Sequence, residues 1–241
     1  MSNPRTLYHF KINRLTDHTP EIRELDLELT NQPEFRFKAG QFVMLHVPVE
    51  GAAKPALRAY SIASTDEQTN GFKLIFKFVE NGVASQFIWK LKGDETLQMT
   101  GPFGKVFFQE PPTEQLVFLN TGSGISQHFC FIESRMKKYP HLKYKLYFGV
   151  RREADIYYEN ELKRLQKDLP GFEYHYVLSR GSESWSGKRG YVQHFLNETG
   201  YKDIPTTFYL CGNGGMIKEA KHQLLEVDAL PKESVWAEAF D

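Results

Sequence analysis

Cysteine is scarce in this chain of 241 residues. The two present, Cys130 and Cys211, make neither a metal-ligand spacing nor a disulfide framework. An iron–sulfur cluster held by four cysteines is therefore excluded within the chain, and no other metal site is expected. Also missing is any apolar run near the ~20 residues that span a bilayer as a helix. Met1 to Phe10 has no apolar core behind a basic start, so no targeting segment is read there. Neither charge sign dominates: Lys+Arg and Asp+Glu number 30 each. That balance offers no broad surface to nucleic acid or to anionic lipid. Together these absences predict a soluble, cytoplasmic protein without nucleic-acid partners or membrane insertion.

What is present is an ordinary globular balance, 41% hydrophobic and 25% charged, with a somewhat rich 14% of aromatics. The length suits one large domain or two of usual size. The first half reads as β. Leu25, Leu27 and Leu29 alternate with Asp26 and Glu28, as a half-buried strand requires. Leu7 to Leu15 is mixed. Gln41–Val47, the stretch from Arg58, Phe72–Val79 and Thr96–Thr100 add strands between turn signals, and Gly101-Pro102-Phe103-Gly104 reads as a tight turn. Apolar residues at Val83, Phe87, Ile88 and Leu91 give one short helix. Several short strands and one helix predict a small antiparallel barrel.

Pro111-Pro112 marks a change of style. After it, strands near 115–119, 143–150, 172–179, 207–211 and 235–238 alternate with helical patterns. Alternation predicts right-handed crossovers and a parallel sheet. The expectation is two domains, a β-barrel over 1–111 and an α/β domain over 112–241.

Five constellations carry chemistry. In Arg58-Ala59-Tyr60-Ser61, a strand would set a guanidinium, a phenol ring and a hydroxyl close together. The same residues also suit an ordinary strand with a solvated arginine. Gly82-Val83-Ala84-Ser85 puts free N–H groups and a hydroxyl at a helix start, which is an anion site or a plain cap. Thr121-Gly122-Ser123-Gly124 and Cys211-Gly212-Asn213-Gly214-Gly215-Met216 each join a strand to a helix through glycines. The first lacks the third glycine of the full dinucleotide fingerprint. Ligands of parallel sheets sit at strand carboxyl ends, so both loops would line one crevice. Cys211 there reads equally well as a small buried hydrophobe. Ser179-Arg180, followed by Lys188-Arg189, offers cations for an extra phosphate or merely a solvated basic loop.

These motifs, with Gly101-Pro102-Phe103-Gly104 between them, occur in one order over roughly residues 7 to 240. The order resembles the ferredoxin–NADP reductase family, in its bacterial-type stand-alone form. The resemblance implies an FAD-binding barrel and an NADP(H)-binding α/β domain. It implies that Arg58 binds a flavin phosphate, Tyr60 stacks on the isoalloxazine and Ser61 approaches the ring nitrogen that receives hydride. Phe76 and Phe78 would touch the flavin, and Gly82, Val83, Ala84 and Ser85 would hold the pyrophosphate. Thr121, Gly122 and Gly124 would line the nucleotide's pyrophosphate. Cys211, with Gly212 and Met216, would stand by the nicotinamide. Ser179 and Arg180 match the grip on a 2′-phosphate, which favours NADPH, with Arg189 nearby. Glu238-Ala239-Phe240 resembles the family's ending, an acid and an aromatic that close over the flavin. Ser61, Cys211 and Glu238 would serve the reaction. The partner implied is a separate ferredoxin or flavodoxin, and a monomer is expected. The chain departs from the family at Gln127, where proline is common, at Gly214-Gly215, and in ending on Asp241.

Overall fold

In the computed structural model, which describes residues 5–240, the chain divides into two units. Met1–Phe107 with Phe129–Ser134 make the first, Phe108–His128 with Arg135–Asp241 the second. The first unit thus ends a few residues before Pro111-Pro112 and takes in one stretch of a later helix. Met1–Pro4 and Asp241 lie outside the described residues.

The first unit is built on six antiparallel strands: β1 (Tyr8–Thr19), β2 (Ile22–Leu29), β3 (Phe42–Val47), β4 (Ala56–Ser61), β5 (Gly71–Lys77) and β6 (Thr96–Phe103). Their order in the sheet is β4-β3-β6-β1-β2-β5. Just past β4, Ile62 bridges Leu74 of β5. Ala63 N–H also donates to the Lys73 carbonyl at 2.9 Å, so the two ends of the sheet curl together as a barrel does. Phe10, Phe35 and Phe72 fill the interior, with ring centroids 4.6 to 5.6 Å apart.

Two sequence expectations change here. Leu7–Leu15 is not mixed: from Tyr8 on it is part of one long strand. It alternates buried Tyr8, Phe10 and Ile12 with exposed or half-buried neighbours, then shifts register at Ile12/Arg14, where the pattern becomes hard to read. The tight turn expected at Gly101-Pro102-Phe103-Gly104 is instead strand up to Phe103, because Phe103 pairs with Phe42 across a register shift. The helix α1 covers Val83–Ile88.

The second unit holds β7 (Gln115–Thr121), α2 (Ile125–Arg135), β8 (Lys143–Val150), α3 (Glu159–Asp168), β9 (Phe172–Leu178), a two-residue β10 (Lys188–Arg189), β11 (Thr206–Gly212), α4 (Gly214–Lys221) and β12 (Val235–Ala239). All pairings are parallel, in the order β10-β9-β8-β7-β11-β12. β7 and β11 are buried nearly end to end, as central parallel strands covered on both faces must be. The helix expected over Tyr191–Glu198 is a 3-10 segment, Val192–Thr199. From β7 the chain winds outward through β8, β9 and β10, then returns to β11 on the other side. The switch point therefore lies between β7 and β11, the place where open parallel sheets generally hold their ligands.

Candidate functional site

In the first unit the candidate site centres on the free edge of β4. Arg58 and Ala59 are exposed, Tyr60 is half-buried and Ser61, the last strand residue, is buried. Arg58 Nη1 donates to the Leu57 carbonyl at 2.8 Å, and its guanidinium stays at the surface. The Tyr60 ring packs on Phe76 with centroids 4.4 Å apart and planes tilted by 54°. Phe76 is 1% exposed, so it backs Tyr60 rather than standing at the surface. Burial pushes the Tyr60 phenol up to about 12, against the opposing pull of Arg58, which keeps the ring neutral at ordinary pH. Phe78 lies beyond the end of β5 and meets Trp89 edge-on at 5.2 Å.

Asn81, at a left-handed φ of 60°, turns the chain into Gly82 and α1. The N-cap residue is Gly82, which has no side chain to cap this helix start. The Ser85 hydroxyl is turned back instead: it accepts from Val79 N–H at 2.8 Å and reaches the Lys77 carbonyl at 3.5 Å. Ser85 therefore staples the loop before the helix, and the donors at the helix start are backbone N–H groups of Val83, Ala84 and Ser85.

In the second unit the candidate crevice at the switch point is shaped mainly by the backbone of two loops. Gly122 has a φ of 53° and Gly212 a φ of 123°, values side-chain-bearing residues avoid. A Cβ on Gly212 would lie 2.4 Å from Thr121 Oγ1, and one on Gly124 would lie 2.4 Å from the Cys211 carbonyl oxygen. Asn213 N–H donates to Thr121 Oγ1 at 2.8 Å, locking the two loops together. Asn213 Oδ1 in turn accepts from Met216 N–H at 3.1 Å, which starts α4 and buries Met216. Sequence reasoning missed one support. The Tyr157 hydroxyl donates to the Gly122 carbonyl at 3.0 Å, and the Tyr176 hydroxyl to the Tyr157 carbonyl at 2.7 Å. The adjacent pair Tyr157-Tyr158 was the available signal.

Cys211 is fully buried. Burial first, then the carboxylate of Glu238, pushes its thiol well above the ordinary range. The thiol is thus protonated and presents a small polarizable wall rather than a thiolate. Glu238 pairs in register with Cys211 across β11 and β12, and its Oε2 accepts from Gln127 Nε2 at 2.9 Å. Phe240 N–H donates to the Gly212 carbonyl at 2.9 Å, and the Phe240 ring is exposed. Below the crevice, Asn120 Nδ2 and His128 Nδ1 lie 3.2 Å apart, and burial pushes His128 down to about 3, so it is neutral.

The basic residues separate into two groups. Ser179 and Arg180 are exposed just past β9. Their N–H groups donate to the carbonyls of Val150 and Arg151 at 3.1 and 2.7 Å, which brings exposed Arg151 beside them. Arg151 holds the same place after β8 that Ser179 holds after β9, and that equivalence could have found it. Arg189 differs. Its Nη2 donates to the carbonyls of Glu183 and Trp185 at 2.9 and 2.8 Å, so its guanidinium closes the loop it sits in. Lys188 is paired with Glu198.

Comparison with known proteins bears on the whole arrangement. Residues 9–108 match the family model of the oxidoreductase FAD-binding domain, and residues 118–222 that of the oxidoreductase NAD-binding domain. Ferredoxin–NADP reductase B of Sorangium cellulosum is 32% identical over 232 residues, covering 92% of this chain and 93% of the relative. The electron transfer component of anthranilate 1,2-dioxygenase from Acinetobacter baylyi is 27% identical over 94% of this chain, which spans 64% of that protein. Among solved structures, a ferredoxin NADP+ reductase from Neisseria gonorrhoeae with bound FAD and NADP shares the fold. Its TM-score is 0.80 at 22% identity, over 97% of this chain and 98% of the other. A parallel sheet with a switch point, an antiparallel barrel, two matched family models and 32% identity to a reductase over nearly the full length of both chains lead to one conclusion: the chain belongs to the ferredoxin–NADP reductase family of oxidoreductases, with an FAD-binding and an NAD(P)-binding domain.

Proposed function

We propose that the protein carries electrons between NADPH and a separate one-electron protein, ferredoxin or flavodoxin, by way of FAD. The observation that carries the nucleotide half is the crevice between β7 and β11, where Gly124 and Gly212 leave no room for a Cβ. Backbone that close can approach a pyrophosphate, and the helix start behind it favours the anion.

The residues of the first unit suit FAD. Arg58 offers an exposed cation for a phosphate, and the uncapped start of α1 offers N–H donors to a pyrophosphate. Tyr60, backed by Phe76, offers a neutral ring for stacking on a flat heterocycle. When bound, FAD would supply the link between hydride transfer and single-electron transfer. The chain's own part is orientation: Tyr60 and Arg58 hold the flavin, Ser61 stands at the strand end beside them, and the glycine loops align the nucleotide. Reacting atoms must be held about 3–3.5 Å apart, so rigid loops matter more here than acid–base groups. The buried, protonated Cys211 shapes the wall and takes no proton.

Exposed Ser179, Arg180 and Arg151 support the 2′-phosphate and hence NADPH. A second reading, an NADH-linked reductase serving an oxygenase, is favoured by one observation. Arg189 is taken up by loop carbonyls, which leaves fewer cations for the extra phosphate. Likeness to the anthranilate dioxygenase component points the same way. A cytoplasmic monomer completes the proposal.

The test is the visible spectrum of the purified protein, recorded without oxygen before and after NADPH, and separately NADH. Rapid bleaching of a flavin band by NADPH and slow bleaching by NADH is the expected result. Bleaching by NADH alone selects the second reading. A flavin band that neither nucleotide bleaches overturns both.

A further inference from the structure

Gln127 departs from the usual pattern of the family, and the reading above gives it no task. It stands in the first turn of α2, just after the glycine loop, and is 1% exposed. A buried amide must find partners or cost stability. Here its Nε2 donates to Glu238 Oε2 at 2.9 Å. The backbone that carries the acceptor is fixed by the sheet, since Glu238 pairs with Cys211 across β11 and β12. The backbone after it is tied down by the bond from Phe240 N–H to the Gly212 carbonyl.

We propose that Gln127 is a positioning residue that fixes the carboxylate of Glu238 at the crevice wall beside Cys211, so that a bound nicotinamide meets a stationary negative charge. This rests on the reading of the crevice as a nicotinamide site. The chemistry follows from charge. The reduced ring is neutral, and once it has given up hydride it is a pyridinium cation. A fixed anion favours the cation over the neutral ring, and so favours the direction in which the nucleotide donates. A half-buried carboxylate that lost its donor would turn toward water, where its field is screened. That the charge reaches the wall is visible at Cys211, whose thiol is raised partly by Glu238.

The test is calorimetric titration of the flavin-loaded, full-length protein. The probes are NADP+ and 1,4,5,6-tetrahydro-NADP, whose neutral ring cannot give up hydride, with the NAD pair in parallel. Gln127→Met keeps the bulk and removes the donor. Affinity for the oxidised nucleotide should fall about tenfold, as expected for a lost hydrogen bond to a charged group, while affinity for the tetrahydro probe stays within about twofold. Glu238→Gln should show the same selectivity, and the double variant should lose no more than Glu238→Gln alone. Should Gln127→Met fold poorly, Gln127→Asn, too short to reach, should give the same selective loss. Equal weakening of both probes, or no change in either, overturns the positioning role while leaving the nucleotide site in place. Wild-type protein that binds neither probe overturns the nucleotide reading itself, and the proposal with it.

Discussion

In the barrel unit the candidate site is made of side chains that leave the sheet: Arg58 and Tyr60 on a free strand edge, with Phe76 buried behind the ring. In the α/β unit it is made where side chains are missing. Gly124 and Gly212 let two loops approach to distances that a Cβ would block, and Gly122 takes a φ of 53° between them. The first kind of site would recognise a ligand by stacking and charge, and should fail by losing contact area. The second would recognise it by backbone N–H groups and shape, and should fail by steric displacement. The two kinds of failure should also separate, because each site is built within its own unit.

The largest effect expected is from Tyr60→Ala. Loss of the buried ring face should weaken flavin retention by about 100-fold, read as flavin content after gel filtration, with nucleotide affinity preserved. Full flavin in the variant would remove stacking from the account. Gly124→Ala comes next. Its new Cβ would lie 2.4 Å from the Cys211 carbonyl, a backbone atom that cannot step aside, so a loss of about 2 kcal/mol in stability is expected. Thermal unfolding measures that loss, and calorimetry should show weakened nucleotide binding with flavin content unchanged. If flavin were lost as well, the separation between the two sites would break. The smallest effect contrasts two arginines of one loop region. Arg180→Ala should raise KM for NADPH about tenfold and barely alter KM for NADH. Arg189→Ala should shift both by a similar factor of about two, because its bonds order the loop rather than greet a phosphate. Equal responses of the two nucleotides to Arg180→Ala would move the 2′-phosphate elsewhere.

Much of this is legible in the sequence. Strand-to-helix glycine loops read directly, because few residues other than glycine take a positive φ at small cost. Alternating strand and helix after Pro111-Pro112 read as a parallel sheet, because crossovers leave few other topologies. Other features stand differently from what composition alone suggests, for identifiable reasons. Gly101-Pro102-Phe103-Gly104 has turn composition yet runs on as strand as far as Phe103, because a neighbouring strand supplies its partner. Ser85 has the chemistry of an anion donor yet faces back into its own loop. Arg189 has the charge for a phosphate yet meets three carbonyls of the loop before it.

What the sequence determined by itself, then, was the class of each unit and the location of the candidate ligand loops. Periodicity and glycine are local properties, and neighbours along the chain suffice to express them. The tertiary structure alone decided which cation stays at the surface, that Cys211 is buried and protonated, and that Gln127 holds Glu238 across more than a hundred residues of chain. Each of these depends on which distant side chain or carbonyl arrives within about 3 Å, and no local pattern encodes that.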